Sequence, residues 1–250
     1  MESTAFFTLH TDLPREGPGQ PEDVKWAVEL VGTHGEARIC DAGCGPGADT
    51  ETLAELLPEA WIDALDLHPP FAEATAVRCA RFGPRVKAWA GSMAELAGPY
   101  DLIWCAGAMY FLGVTEALTS WRSALTQAGK IAFSEPVLLG GDEPQAVRDF
   151  WAEYPAITEE AGIVERIEAA GFRLLGRRLI VGAPWEGYYA PMEARIDALR
   201  AGPVSEEMEG VLAENEAEIA AWRAAPNRIA YLLCVVAVSY THLTLPTKIV

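Results

Sequence analysis

Asp41-Ala-Gly-Cys-Gly-Pro-Gly47 follows the apolar run Ala37-Arg-Ile-Cys40 and leads straight into Ala48 to Leu57, a stretch with helical character. A buried strand therefore delivers an acidic residue and three glycines to its carboxyl end, and the chain turns at once into a helix. Glycines at 43, 45 and 47 let the backbone turn sharply and approach a ligand where a Cβ would collide, and the first N–H groups of the helix offer donors. The segment reads as a loop that cradles a nucleotide-bearing ligand.

The spacing fits two cradles. Read from Gly43, the string matches the dinucleotide fingerprint G-x-G-x-x-G/A with Ala48 in the last position. A pyrophosphate turn usually begins with glycine straight off the strand, whereas here Asp41 comes first and Pro46 stiffens the turn. An ionised carboxylate repels a diphosphate and attracts a sulfonium amino acid that carries an ammonium. D-x-G-x-G-x-G at 41–47 resembles motif I of the class I methyltransferases that use S-adenosylmethionine (SAM) and release S-adenosyl-L-homocysteine. The alternatives are an NAD-type Rossmann oxidoreductase and a protein that holds SAM without transferring its methyl group.

Further segments extend the pattern. Trp61 to Leu67 is a second strand candidate with Asp66 near its end, 23 residues after Gly43. An acidic group at that distance accepts hydrogen bonds from ribose hydroxyls; the other reading is an N-cap for a helix from Pro69 or Pro70, shared with His68. Val86 to Ala90 is a third strand, followed by Gly91-Ser92-Met93, a turn that the resemblance lays along the adenine. Ser92 stands where an Asp is often found, and Met93 is either a cover for the ring or core. Tyr100 to Ala106 is the fourth strand and Gly107 to Gly113 its exit loop. Strands one and four flank the point where the connections of an open sheet change direction, which makes Ala106 and Gly107 cofactor-binding candidates beside Asp41, Gly43 and Gly45.

The words D-L-I-W-x-x-G-A-x-Y (101–110), S-E-P (134–136), D-F-W (149–151), P-W-x-x-Y-Y (184–189) and, upstream, L-P-R-E-G-P-G (13–19) resemble a bacterial subgroup of small-molecule SAM methyltransferases, related to those of ubiquinone and menaquinone biosynthesis. The resemblance spans residues 5 to 200, and none of these words is specific for an acceptor. It implies an α/β, Rossmann-like fold with a seven-stranded, mostly parallel sheet, helices on both faces and the last strand antiparallel. Strands are predicted at 37–41, 61–66, 86–90, 100–106, 130–135 and 173–181, with a last one from near Arg228. Helices are predicted at 21–31, 115–125, 144–150 and 158–170, with two more between Pro191 and Ala224.

The expected organisation is an N-terminal flap (1–20), a methyltransferase domain (21–237) with helical lid insertions after strands five and six (140–154 and 184–225), and a tail at 238–250. The tail resembles the translation of a sequencing-library transposon adaptor, so His242 is given no role.

Composition sets limits on partners. A formal charge of -17 weighs against nucleic acid, since a phosphate backbone is bound by Lys and Arg. The acidity itself reads as solvated helix faces such as Glu206 to Glu218. No apolar run reaches transmembrane length and no cationic leader opens the chain, so neither a membrane nor export is expected and the cytosol is the expected location. The five cysteines form an odd set without a C-x-x-C pair and are expected to be free thiols, with Cys44 exposed and reactive and no metal site.

A sulfonium methyl departs with a neutral thioether, so the protein has mainly to align a small-molecule acceptor and exclude water. An amine, hydroxyl or acidic carbon also needs a base near the ends of strands four and five. Glu135 is the first candidate, with Tyr110 and His10 behind it; the bland role for Glu135 is a cap or an ion pair. Arg15 and Gly17 suggest a flap over the SAM carboxylate, or else a mobile leader. Tyr110, Trp151, Trp185 and Tyr188 either line the acceptor pocket or anchor the extra helices to the sheet. The motifs specify neither the acceptor nor an oligomeric state.

Overall fold

The computed structural model describes residues 4–141, 144–151, 154 and 156–239. Its strands are β1 (Arg38–Ala42), β2 (Trp61–Asp66), β3 (Val86–Ala90), β4 (Tyr100–Ala106), β5 (Leu125–Leu138), β6 (Thr158–Glu159), β7 (Phe172–Ile180) and β8 (Ile229–Val238). The helices are α1 (Thr4–His10), α2 (Pro21–Val31), α3 (Ala48–Leu56), α4 (Pro69–Arg78), α5 (Val114–Trp121), α6 (Gln145–Trp151), α7 (Glu160–Ala169), α8 (Ala183–Arg200) and α9 (Glu206–Ala224). The sheet runs β3-β2-β1-β4-β5-β8-β7, parallel from β3 to β5, with β8 antiparallel between β5 and β7. The last strand is thus inserted antiparallel, as expected. The departure from seven strands is β6, two residues that pair with Val137 and Leu138 of β5.

Strand alternation divides the core into two layers. Ile39, Leu102, Trp104, Ala132, Leu233 and Val235 meet α2, α3, α8 and α9 on one face. Cys40, Ile103, Cys105, Ile131, Phe133, Leu232 and Cys234 meet α5 and α7 on the other. Because both faces are covered, β8 is a nearly continuous apolar run, which a half-exposed strand would not be. The helices supply matching stripes: Val114, Ala117, Leu118 and Trp121 on α5, and Val24, Ala27, Val28 and Val31 on α2, which a Gln20–Asp23 capping box starts and left-handed Gly32 ends.

Three elements differ from expectation. β5 extends from Leu125 through the polar stretch Thr126 to Gly129, where the β4–β5 register shifts between Tyr100 and Leu102. α8 begins at Ala183 and passes through Pro191, because Trp185, Tyr188, Tyr189, Met192 and Ile196 form one buried stripe whose packing outweighs the roughly 3 kcal/mol of an interior proline. The flap contains a helix, α1, that packs on α8 and α9, while α6 packs on α9. The flap and the two insertions therefore pack together. Among the described residues no helix is long and apolar enough to cross a membrane. The adaptor-like tail lies outside the described residues from position 240 on.

Candidate functional site

The glycine loop hangs between two strands and a helix. Gly43 and Cys44 both donate their N–H to the Leu65 carbonyl, at 2.8 and 3.0 Å, which ties the loop to the end of β2. The Gly45 peptide is held at both ends: its N–H donates to Asp66 Oδ2 at 3.0 Å and its carbonyl accepts from Thr75 Oγ1 at 2.8 Å. Gly47, at φ +84°, starts α3, and a Cβ there would lie 3.0 Å from the Thr75 Cα, so the loop can press against α4 only because this residue has no side chain. Cys44 turns inward beneath the loop, 3.5 Å from Thr75 Oγ1. Burial, with Asp41 next in weight, pushes its thiol far above the ordinary range. The expectation of an exposed, reactive Cys44 is therefore corrected: the tight turn points the side chain into the protein. All five cysteines are free and buried.

Under this loop lies a concentration of negative groups. Asp41 is 1% exposed and its Oδ2 accepts from Thr50 Oγ1 at 2.5 Å. Burial raises its carboxyl to about 8; the Thr50 bond opposes this, while Asp49 and Asp66 add to it. Asp66 accepts from Gly45 N–H and, at 2.8 Å, from His68 N–H, and burial raises its carboxyl too. It braces the loop and the entry to α4, where His68 holds the N-cap position. Each Asp66 oxygen still has lone-pair capacity for a ribose hydroxyl. Asp49 accepts from Trp104 Nε1 and pairs with Arg15, both at 3.1 Å.

The N-terminal segment packs against the elements that carry the cradle. Arg15 donates through Nε to the Gly17 carbonyl at 2.5 Å, through Nη1 to the Gly19 carbonyl, and through Nη2 to Asp49. Its fork thus fastens the N-terminal segment to α3. Phe7 stacks on His68 with centroids 3.6 Å apart, and Arg78 donates to the Pro14 carbonyl at 2.9 Å. His10 is buried, with Nδ1 2.5 Å from Glu16 Oε2 and its ring stacked on Phe6.

Across the cleft, a Cβ on Gly43 would fall 2.7 Å from that of Ala108 and 3.9 Å from Met93 Sδ. Met93 also packs against the α5/α7 layer, and its carbonyl accepts from Trp121 Nε1 at 2.7 Å. Ser92 caps the turn after β3 by accepting from Ala94 N–H at 3.2 Å. At the end of β4, after Ala106, Gly107 takes φ +67° and donates to Ser134 Oγ at 2.9 Å. Asp41, Gly43, Gly45, Asp66, Met93 and Gly107 are thus gathered at the carboxyl ends of the central strands.

Glu135 sits on β5 between Phe133 and Val137, which belong to the α5/α7 layer. It is fully buried; Tyr154 donates its hydroxyl to Oε1, and Oε2 has no partner among the described residues. Burial lifts its carboxyl to about 7, against the Tyr154 hydrogen bond and the charge of Arg166. The Tyr110 ring lies 5.7 Å from that of Tyr154. On the opposite face Trp185 donates to the Ile180 carbonyl at 3.0 Å and stacks on Trp222, 5.6 Å away and 9° from parallel. That is the anchoring role for Trp185. Tyr188 is buried beside it, and Trp151 lines a cavity with Trp185, Tyr189, Glu218 and Trp222.

Sequence marks Tyr154 only as one of the aromatics of the lid segments, and singles out neither Glu218 nor Tyr231. Tyr231 is within electrostatic reach of Glu135, Glu218, Tyr110 and Tyr154, and a lone hydroxyl inside the apolar run of β8 was the signal for it. Glu218 corrects the reading of α9 as a solvated acidic face up to that residue: it stands next to Ile219 on the side that carries Leu212 and Trp222 inward, and accepts from Tyr189 at 2.9 Å.

Residues 39–129 match the family described as "Methyltransferase domain". A trans-aconitate 2-methyltransferase of Streptomyces avermitilis is 36% identical over 108 residues, 40% of this chain and 39% of that protein, so the chain spans about two fifths of that relative's length. Among solved structures, a SAM-dependent methyltransferase from Thiobacillus denitrificans in complex with S-adenosyl-L-homocysteine superposes with a TM-score of 0.83 at 19% identity, covering 95% of this chain and 99% of that one. One from Geobacter sulfurreducens, in complex with the same compound, gives 0.83 at 17% identity, covering 94% and 98%.

Proposed function

We propose that this chain, which has the class I methyltransferase fold and carries a matching methyltransferase domain, binds SAM and passes its methyl group to a small-molecule acceptor. The observation that carries the reading is the cradle itself. Three carboxylates, Asp41, Asp49 and Asp66, surround a glycine loop whose only described ion-pairing cation, Arg15, is already held by Asp49. Such a site favours a sulfonium that bears an ammonium and disfavours a diphosphate. The strand order agrees, because the dinucleotide-binding arrangement 3-2-1-4-5-6 has no antiparallel strand between its fifth and sixth positions.

In this reading the Asp41 carboxylate faces the cationic amino-acid end of SAM, and Asp66 accepts from the ribose hydroxyls. Gly43, Gly45 and Gly107 admit the nucleoside close to the backbone; Met93 covers a face of the adenine, with Ser92 at its edge. SAM supplies an activated methyl group. The chain aligns the acceptor, excludes water under the flap, and takes the acceptor's proton on Glu135, whose carboxyl at about 7 holds a proton or releases it near neutral pH. Tyr154 fixes the orientation of that carboxyl, and Tyr110 stands behind it. His10 belongs to the flap as a partner of Glu16. A net charge of -17 argues against nucleic acid as acceptor, and five free thiols favour the cytosol.

Incubating purified protein with methyl-labelled SAM and a metabolite pool, then locating the label by mass spectrometry, tests the reading. Label in a small molecule supports transfer. Retained SAM with no transfer to any pool would make the chain a SAM-binding protein, and binding of NADH in place of SAM would restore the oxidoreductase reading.

A further inference from the structure

Glu135 is set between the apolar Phe133 and Val137 of β5, in a layer where packing alone calls for another apolar side chain. Ala106 pairs with Ser134, so this carboxyl stands one residue past the end of β4, beside Gly107 and the crevice. The phenol of Tyr154 donates to its Oε1, while Oε2 has no partner among the described residues. The same phenol lies within hydrogen-bonding reach of Arg166 on α7, which favours its ionised form and whose Nη2 also donates to the Ala156 carbonyl at 2.6 Å. A carboxyl that can take a proton and a guanidinium that can hold the oxyanion left behind therefore meet at one phenol oxygen. Rings continue from it toward solvent. Tyr110 lies 5.7 Å from Tyr154 and 4.3 Å from Phe111, which is 63% exposed in the exit loop of β4.

We infer that Tyr154 occupies the acceptor's own position, and that the acceptor is a phenol whose ring replaces that of Tyr154 beside Tyr110 and whose hydroxyl bridges Glu135 Oε1 and Arg166. The site needs no empty cavity, because a side chain of the acceptor's shape fills it until the acceptor takes its place. The inference deepens the methyltransferase reading and rests on it for the chemistry. The phenol proton passes to Glu135, and an electron pair of the oxygen forms the O–CH3 bond with the methyl carbon of SAM. The S–CH3 bond breaks with its pair left on sulfur, giving an aryl methyl ether and a neutral thioether.

4-Methylphenol is the tyrosine side chain as a free molecule, and Tyr154→Ala opens the place it should take. Calorimetry on the full chain, parent and variant, measures the binding of 4-methylphenol, toluene, 4-methylcyclohexanol and 4-methylaniline, with S-adenosyl-L-homocysteine titrated separately. The variant should bind 4-methylphenol about tenfold or more tightly than the parent does, and by the same margin over the other three probes, with S-adenosyl-L-homocysteine affinity unchanged. Adding Glu135→Leu should remove the margin over toluene. Adding Arg166→Met should remove the margin over 4-methylaniline, which donates to a carboxylate but accepts poorly from a guanidinium. Tyr154→Phe deletes only the hydroxyl and should raise 4-methylphenol affinity by a smaller factor, which decides the matter if circular dichroism shows that Tyr154→Ala has lost its fold. No gain in the folded variant, equal binding of toluene, or preference for the alcohol or the aniline would each overturn the inference. Binding of S-adenosyl-L-homocysteine without a preference for the phenol would sink this inference alone. A chain that prefers the phenol but gives no heat with S-adenosyl-L-homocysteine would leave this site standing and sink the methyltransferase reading instead.

Discussion

Asp41 and Glu135 are carboxyls that the fold keeps protonated well above the ordinary range, for the same leading reason and with different consequences. At Asp41 the groups that add to burial are other carboxylates, so a cation is what the position lacks. Asp41→Asn keeps the volume and an acceptor for Thr50 but can carry no charge; SAM affinity should fall by about 10- to 100-fold, the scale of a hydrogen bond to a charged group, with the fold intact by circular dichroism. Affinity within a factor of two of the parent would show that Asp41 only braces α3. Asp66→Ala should weaken SAM by about 1–3 kcal/mol and loosen the Gly45 turn. For Glu135 the sign runs through the base: the ionised form accepts the proton, so kcat/KM should climb as pH rises through about 7 and level off above it. Glu135→Gln should abolish that limb and lower kcat by about 10²- to 10⁴-fold. Tyr154→Phe removes a donor that favours the ionised form and should move the limb to higher pH. A limb unmoved in both variants would assign the proton transfer to another group.

At the scale of elements, the nucleotide side was legible in sequence because it is local. Asp41 and the glycines lie within one strand-loop-helix unit, and the turn chemistry that seats them is written in seven consecutive residues. Asp66 and Gly107 follow at the ends of neighbouring parallel strands. The other side was less legible, because Glu218, Tyr231 and Tyr154 meet only when α9, β8 and the segment after α6 pack together, and the one local mark among them is the lone hydroxyl of Tyr231 in the apolar run of β8. α9 conceals Glu218 among many acids of the same kind, and α8 conceals its first two turns behind Pro191, a residue that ordinarily marks a helix start. The packing of α8 also separates two roles that sequence left joined. Trp185 is buried with its indole N–H on the β7 carbonyl of Ile180 and its ring on Trp222. Trp185→Ala should therefore destabilise the whole chain by about 3–5 kcal/mol, or roughly 10 °C in Tm, rather than change acceptor KM alone. Thermal unfolding unchanged to within a degree would return Trp185 to the list of pocket walls.

For the whole molecule, the raised carboxyls make stability a function of pH with a definite direction. In the unfolded chain Asp and Glu ionise near 4, whereas Asp41 retains its proton to about 8 and Glu135 to about 7 in the fold. Between those limits the folded state binds more protons than the unfolded one, so stability is fully present below pH 4, declines as pH rises and reaches its floor above pH 8. Glu186, lowered by Arg223, acts in the opposite sense, but it is half exposed and therefore weighs little. Tm of the chain without cofactor should drop between pH 5.5 and 8.5, by about 2–4 °C for each kcal/mol lost. A cation seated at Asp41 favours the ionised form and reverses that loss, so saturating S-adenosyl-L-homocysteine should raise Tm more at pH 8 than at pH 6, with protons released on binding. Calorimetry in two buffers of different ionisation enthalpy measures that release directly. A Tm shift independent of pH, with no proton leaving, would mean that the cofactor's charge is met elsewhere than at Asp41.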